Sequence, residues 1–227
     1  MVDAIQAGVN DVANGPFTPA QEGYLEDSGN QTYDPATAAE LIADYAAENG
    51  QPTIKYTTTN DQAALTLVEL VSASWEEAGV KVEISQQEQG ALITSALVGD
   101  DSFNAFLWRN HAGTLDRNYI WWHSNNAGPK GSLALNFGRQ KDAQIDALLD
   151  ENRESNDPAR KAEIAQEVNR IFAEECYMIP LYWTTWGIAS HAGVMGLQDA
   201  TFPGSTDKPA FGQGFPGQFP LISAWLK

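Results

Sequence analysis

The sequence predicts an α/β fold, because segments with the two-residue period of a strand are followed by segments with the period of a helix, repeatedly along the chain. The clearest observation is the order strand, helix, strand, helix, strand between residues 53 and 108. The second is composition: 43% of the 227 residues are hydrophobic and 19% are charged, which suits a globular chain with a sizeable core. Strands separated by helices favour at least partly parallel pairing.

The first predicted helix has a start signal and a stop signal. Asp34 can cap its N-terminus, and Pro35 suits the first helical turn. Asn49-Gly50 ends it, since glycine commonly follows the last helical residue. Apolar residues recur between these signals at helical spacing, at Ala38, Leu41, Ile42 and Tyr45. Residues 1–33 are rich in Gly, Asn, Pro and Asp, and we expect them to be irregular.

The alternating part of the chain comes next. Residues Thr53–Thr59 and 80–84 alternate apolar and polar side chains and predict two strands. A helix over about 60–78 lies between them, and a short helix over 91–98 follows. The compact apolar run 103–108 suits a buried strand.

The second half is predicted to be mostly helical. The regular succession of strands and helices ends at residues 116–138, which contain Trp, Asn and Gly and are expected to be irregular. Helices are predicted over 142–153 and 158–174, the second capped by Asp157. Residues 177–183 suit a strand, and Pro180 places it at an edge or an end.

Charge and cysteine content limit the class of protein. Thirty acidic residues against 13 basic ones give a formal net charge of −17, which disfavours nucleic acid and anionic membrane surfaces as partners. The single cysteine, Cys176, excludes an intramolecular disulfide and a thiolate-rich metal site. Its apolar surroundings in the sequence predict a buried, unreactive thiol.

Four stretches of sequence occur in a characteristic order. They are 15–19 (GPFTP) with 33–42 (YDPATAAELI), then 75–82 (WEEAGVKV), then Gly99-Asp100 before the run 103–108, and finally 145–149 (IDALL), 157–160 (DPAR) and 179–182 (IPLY). Together they span about residues 10–195. In this order and spacing they resemble the extracellular solute-binding proteins, family 5, of ABC importers for peptides, nickel chelates and some oligosaccharides.

The resemblance implies a two-lobed clamp that holds its ligand between the lobes. Residues 1–195 resemble its second lobe, a periplasmic binding protein-like class II lobe with a mixed sheet flanked by helices. Residues 196–227 resemble an irregular tail that returns toward the first lobe, which is missing here. The family's chains are usually longer and begin with a signal or lipoprotein segment. The expected function is capture of a small solute, peptide-like or other, and its delivery to an ABC permease. The expected location is extracytoplasmic, periplasmic or at the cell surface.

Candidate ligand-binding residues follow the predicted strand 103–108. They are Trp108, Arg109, Asn110 and His111. In peptide-binding members of the family, an Asp three positions after a Trp pairs with the peptide's amino terminus. His111 stands at that position here, and a neutral imidazole cannot form the same ion pair with an ammonium group. We therefore do not expect a free peptide to be held by its amino terminus.

Each candidate also has an ordinary structural interpretation. Trp108 suits a core position as well as a stacking surface. Arg109 has the geometry to bind a carboxylate or phosphate, but strand alternation favours a solvated side chain. Trp121 and Trp122 are adjacent, so we expect one of them in the core and the other beside the ligand. His111 is isolated, and its simplest role is an ordinary hydrogen bond.

An enzyme is not expected. The sequence has no Gly-x-Ser-x-Gly elbow and no glycine-rich phosphate loop, and its Asp100-Asp101 doublet suits a turn. No catalytic residue and no cofactor is predicted. A metal site is not predicted either, because His111, His123 and His191 lack metal-ligand spacing. The alternative function is a carbohydrate-adhesion or protein-interaction module that uses some of the seven Trp and seven Tyr residues. A flat row of exposed rings would favour adhesion, whereas a cluster on one concave face would favour a clamp lobe.

Overall fold

The computed structural model describes residues 7–100, 102–109, 113–185, 189–197, 199–201, 204 and 223–227. Strands and helices alternate in the first half of the chain, and helices dominate the second half. The elements in chain order are α1 (Pro35–Asn49), β1 (Thr53–Thr59), α2 (Gln62–Glu77), β2 (Lys81–Gln87), α3 (Gln89–Val98), β3 (Ala105–Phe106), α4 (Leu115–Trp122), a 3₁₀ helix (Ser124–Asn126), α5 (Ala143–Glu154), α6 (Pro158–Glu174), β4 (Val194–Met195) and β5 (Trp225–Leu226).

Three parallel strands form the main sheet, in the order β2-β1-β3. β1 pairs with β2 along its whole length, from Thr53 opposite Lys81 to Thr59 opposite Gln87. β3 pairs with β1 over only two residues, so most of the strand predicted over 103–108 lies outside the ladder. The three strands share one direction, and their carboxyl ends therefore lie at one edge of the sheet.

Helices cover both faces of the central strand. Tyr56, Thr57 and Thr58 are consecutive residues of β1, and all three are buried. Because consecutive side chains of a strand point to opposite faces, both faces must be covered at this end of β1. α2 packs against β1 and β2, and α3 contacts β1. The predicted α/β fold, with helices flanking a parallel sheet, is confirmed.

Aspartate caps begin the main helices, as their sequences predict. The Asp34 carboxylate accepts the backbone N–H of Thr37 at 3.1 Å, and Pro35 is the first residue of α1. The Asp157 carboxylate accepts the N–H of Ala159 at 3.0 Å at the start of α6. These bonds satisfy N–H groups that have no partner inside the helix.

The described residues contain two separate hydrophobic clusters. The sheet core, beneath α2, consists of Tyr56, Leu67, Val68 and Val71. The helical core, built by α4, α5, α6 and the N-terminal segment, consists of Phe17, Leu115, Trp122, Ile145, Leu148, Leu149, Ile164, Ala165, Val168, Ile171 and Phe172. Among the described residues, no helix combines the length and apolar character that crossing a bilayer requires.

The prediction of a strand over residues 177–183 is wrong. In this segment only Tyr182 makes a bridge, antiparallel to Val12, and the segment does not join the main sheet. The backbone N–H of Trp183 donates to the Asp11 carbonyl at 3.1 Å. The neighbour of this segment is therefore the irregular N-terminal stretch. Pro180, which has no N–H, cannot donate to a ladder.

Residues 116–138 are more ordered than the sequence predicts. They contain most of α4 and the 3₁₀ helix Ser124–Asn126. The N-cap residue of α4, Thr114, makes no side-chain cap bond, and the helix buries the polar Asn118 beside Leu115 and Trp122. The capping side chain that marks the start of the other described α-helices is thus missing in α4.

The predicted burial of Cys176 is also wrong, because its side chain is exposed. Cys176 follows α6 with a positive φ of 52°, in the position where a left-handed residue commonly ends a helix. Farther along, β4 and β5 pair antiparallel, with Val194 opposite Leu226 and Met195 opposite Trp225. This pair joins the two sides of the predicted boundary between residues 195 and 196, and the division into lobe and tail stays a prediction.

Candidate functional site

The carboxyl end of β3 leads directly into the predicted site. Phe106 is the last residue of β3 and lies opposite Thr57 of β1. The N–H of Leu107 donates to the Thr57 carbonyl at 3.3 Å and extends the contact by one residue. Trp108 and Arg109 follow at once. Ligands of open parallel sheets bind beyond the carboxyl ends of the strands, so these residues lie where a ligand is expected.

Trp108 belongs to a group of rings joined by pairwise contacts, which we call the aromatic cluster. Its members are Phe103, Phe106, Trp108, Trp121 and Phe137, and each of them is partly exposed. The ring centroids of Phe106 and Trp108 are 5.6 Å apart in a T-shaped arrangement, and those of Phe103 and Phe106 are 4.9 Å apart. These separations lie within the range of favourable aromatic pairs. The cluster offers an apolar surface that the fold leaves partly uncovered.

Phe137 is the central ring of the aromatic cluster. Its centroid lies 4.8 Å from that of Trp108, 5.4 Å from Phe106 and 5.9 Å from Trp121. The residue belongs to the loop between α4 and α5, and the sequence analysis did not select it. The only sequence signal was a large apolar residue in an otherwise polar, glycine-containing loop.

The adjacent residues Trp121 and Trp122 have different environments. Both lie in the last turn of α4, where neighbours point about 100° apart around the helix axis. Trp122 is 5% exposed, and its ring centroid lies 4.5 Å from Phe172 in the helical core. Trp121 is partly exposed and reaches Phe137. The structure thus places Trp122 inside the helical core, whereas Trp121 packs against the outside of that core and joins the aromatic cluster.

The other candidates are placed as follows. Arg109 is exposed, and its positive charge contributes to a lowered pKa of Asp61 at the start of α2. The larger causes of that lowering are hydrogen bonds from the Thr59 hydroxyl and the Ala64 backbone. Asn110 and His111 lie outside the described residues.

Two hydroxyl groups lie on the neighbouring strands β1 and β2 near the same edge. The hydroxyls of Thr57 and Ser85 are 2.7 Å apart and share a hydrogen bond between β1 and β2. Asp100 accepts hydrogen bonds from the hydroxyl and backbone N–H of Ser102, which lower the pKa of its carboxyl. This is the geometry of a turn, and it gives Asp100 no general-acid role.

The described histidines have structural surroundings. His123 is 3% exposed, its Nδ1 accepts the Asn125 N–H at 3.0 Å, and its ring stacks on Tyr119 at 4.4 Å. The Nδ1 of His191 accepts the Gly193 N–H at 3.1 Å. Within the part of the chain that the structure describes, no group of His, Cys, Asp and Glu is arranged to hold a metal ion.

Comparison with known proteins gives a consistent picture. The model of the bacterial extracellular solute-binding proteins, family 5 Middle, matches residues 1–144, more than half of the chain. The di/tripeptide-binding protein 1 of Pseudomonas aeruginosa is 24% identical over 190 residues, which are 82% of this chain and 34% of that protein. Heme-binding protein A of Haemophilus influenzae is 25% identical over 188 residues, 80% of this chain and 33% of that protein.

The fold is shared with solved structures. The ABC transporter-associated periplasmic binding protein DppA from Helicobacter pylori, in complex with the peptide STSA, superposes with a TM-score of 0.75 at 19% identity. The match covers 99% of this chain and 41% of that one. This chain spans about a third of the length of the curated relatives it matches. These relatives are solute-binding proteins and not enzymes. The chain belongs to the bacterial extracellular solute-binding proteins, family 5.

Proposed function

We propose that this chain supplies one face of the ligand site of a solute-binding protein that serves an ABC importer. The aromatic cluster is the proposed contact surface, and it binds an apolar part of a small solute. The solute is captured outside the cytoplasm and passed to a membrane permease. Several relatives carry names of peptide-binding proteins, which supports a peptide-like solute.

One observation carries the proposal. Five partly exposed rings meet beside the carboxyl end of β3, and Trp108 and Trp121 are both among them. Small-molecule sites are lined mainly by apolar and aromatic side chains, with a few polar groups to orient the ligand. Arg109, which follows Trp108, is the proposed polar partner for an anionic group of the solute.

The arrangement of the rings favours this function over adhesion. The rings of the aromatic cluster pack on one another, whereas an adhesive surface would present its rings side by side in a row. Trp225, in β5, is an exposed tryptophan that contributes to no such cluster among the described residues. We therefore keep adhesion as the alternative that the binding experiment also tests.

The experiment is isothermal titration of the chain with dipeptides that carry apolar side chains, at concentrations up to the millimolar range. Wild type is compared with Trp108→Ala and Trp121→Ala, and Trp225→Ala is the matched control outside the cluster. We expect the two cluster variants to bind about tenfold more weakly, which corresponds to about 1.4 kcal/mol, and the control to bind as wild type. Equal affinity of all four proteins would refute the aromatic cluster as the site.

A second arm of the titration concerns the amino terminus of the ligand. Because His111 stands where peptide-binding members carry Asp, N-acetylated dipeptides should bind about as well as free ones. A large loss on acetylation would show that an ammonium group is recognised after all. Binding of oligosaccharides but of no peptide would contradict a peptide-like solute, and weakened binding in Trp225→Ala alone would favour the adhesion alternative.

A further inference from the structure

The Arg139 side chain ties a helix end to the loop that carries Phe137. Its Nη1 donates to the carbonyls of Phe137 at 3.0 Å and Ala96 at 3.4 Å. Its Nη2 donates to the carbonyls of Leu97 at 3.0 Å and Ser132 at 3.1 Å. Ala96 and Leu97 belong to the last turn of α3, where carbonyls have no partner inside the helix and a cation is favoured.

Backbone hydrogen bonds support the same junction. The N–H of Gly131 donates to the Val98 carbonyl at 2.9 Å, and the N–H of Ala134 donates to the Leu97 carbonyl at 2.8 Å. Arg139 itself has a φ of 52°, in the left-handed region that non-glycine residues rarely adopt. A conformation of this kind persists only where the surroundings hold it. Here the four hydrogen bonds of the guanidinium supply that constraint.

The loop that Arg139 binds carries Phe137, the central ring of the aromatic cluster. Phe137 accepts a hydrogen bond from Arg139, and its ring touches Phe106, Trp108 and Trp121. We infer that Arg139 is a positioning residue that fixes Phe137 and thereby sets the arrangement of the aromatic cluster. The importance of this for binding rests on the proposed function, but the ordering of the rings does not.

The chemistry of the junction requires arginine. A guanidinium presents five N–H donors in a rigid plane, so one side chain serves four carbonyls on two structural elements. Lysine has three donors on a flexible stem and cannot reproduce the fork. Gly99, with a φ of 67°, leaves room for the guanidinium, because a Cβ at this position would lie 2.3 Å from Arg139 Cζ. The position of the Arg139 guanidinium therefore depends on a glycine at residue 99.

The first test uses the full 227-residue chain labelled with 5-fluorotryptophan and observed by ¹⁹F NMR. The signals of Trp108, Trp121 and Trp75 are assigned from single Trp→Phe variants. Trp75 stacks on Tyr56 in the sheet core and serves as the internal control. In Arg139→Gln we expect the Trp108 and Trp121 signals to shift or broaden while that of Trp75 stays as in wild type. Arg139→Lys should give a smaller change of the same kind.

The second test displaces the guanidinium without removing it. Gly99→Ala should change the Trp108 and Trp121 signals as Arg139→Gln does. Gly50→Ala is the matched control, because Gly50 also has a positive φ, of 80°, nothing lies within 4 Å of its added Cβ, and it caps the end of α1, outside the junction. If Arg139→Gln does not fold, Arg139→Lys and Gly99→Ala decide the question.

The inference is overturned if the two signals are unchanged in Arg139→Lys and Gly99→Ala, or if Trp75 changes equally. It is also overturned if Gly50→Ala has the same effect as Gly99→Ala. These measurements need no ligand, so their failure leaves the proposed function standing. A cluster that is ordered by Arg139 but binds no solute would instead contradict the proposed function alone.

Discussion

Trp121 and Trp122 illustrate how much one step along a helix changes the role of a side chain. Trp122 packs between Phe17 and Phe172 in the helical core, with ring centroids at 6.1 and 4.5 Å. Trp121 remains partly exposed and contacts Phe137 as well as the outside of the helical core. The sequence predicted one tryptophan in the core without saying which, and the helix shows that it is Trp122. A place for Trp121 beside a ligand stays a prediction. Two large apolar neighbours carry no signal that distinguishes them.

The difference predicts unequal losses of stability. Trp122→Ala should lower the free energy of unfolding by about 3–5 kcal/mol, because it empties a buried site that the core cannot fully refill. Trp121→Ala should cost less, about 1–2 kcal/mol, since Trp121 is partly exposed and packs against the outside of the helical core. Urea unfolding followed by circular dichroism measures both. Equal losses would contradict the partly exposed position of Trp121.

At the scale of elements, predictions from sequence succeeded where a helix or strand is determined locally. α1, α2 and α6 begin at aspartate caps, and β1 and β2 alternate clearly enough to be recognised. β3 is shorter than its apolar run because its length depends on pairing with β1, which is a contact between distant residues. α4 was missed because its start lacks a side-chain cap bond.

The candidate site shows the same limit. Trp108 was selected as a candidate because it ends an apolar run, and Trp121 because paired tryptophans are conspicuous. Contact of either residue with a ligand stays a prediction. Phe137 could not be predicted, since its role depends on a loop that Arg139 attaches to α3. No periodicity marks such a loop. Tertiary contacts between elements, rather than local preference, determine which rings meet.

The cap of α2 gives a prediction with a definite pH dependence. The hydrogen bonds of Asp61, first from Thr59 and then from the Ala64 N–H, hold the pKa of its carboxyl below the ordinary value of 3.8. Its ionised form therefore stabilises the fold above that value, and the contribution is lost as the pH falls through the lowered pKa. Asp61→Ala should cost about 1 kcal/mol at neutral pH.

Urea titrations at pH 7 and at pH 3 measure this effect. The difference in unfolding free energy between wild type and Asp61→Ala should shrink in acid, as the wild-type carboxyl becomes protonated. Asp61→Asn is the control, because asparagine is also a good cap and should lose little at neutral pH. A difference that is the same at both pH values would show that the charge of Asp61 contributes nothing.

At the scale of the whole molecule, the described residues build two hydrophobic cores instead of one. Val68 in the sheet core and Val168 in the helical core are both completely buried. The two clusters share no buried residue. A substitution in one core should therefore leave the packing of the other unchanged.

Double substitution tests this independence. Val68→Ala and Val168→Ala should each cost about 2 kcal/mol, from the lost methyl groups and the cavities they leave. The double variant should lose the sum of the two costs to within about 0.5 kcal/mol, as expected for sites without shared partners. The measurement is urea unfolding of the wild type, both single variants and the double variant. A clear departure from additivity would indicate that the cores are coupled.

The exposed thiol of Cys176 has a practical consequence. The 227 residues contain one cysteine, and its side chain is accessible at the end of α6. A maleimide dye or a nitroxide reagent should therefore attach at a single known place without any engineered residue. The five rings of the aromatic cluster lie far from residue 176 in sequence, and the label modifies none of them. These 227 residues therefore provide a single attachment point for fluorescence and spin-label spectroscopy.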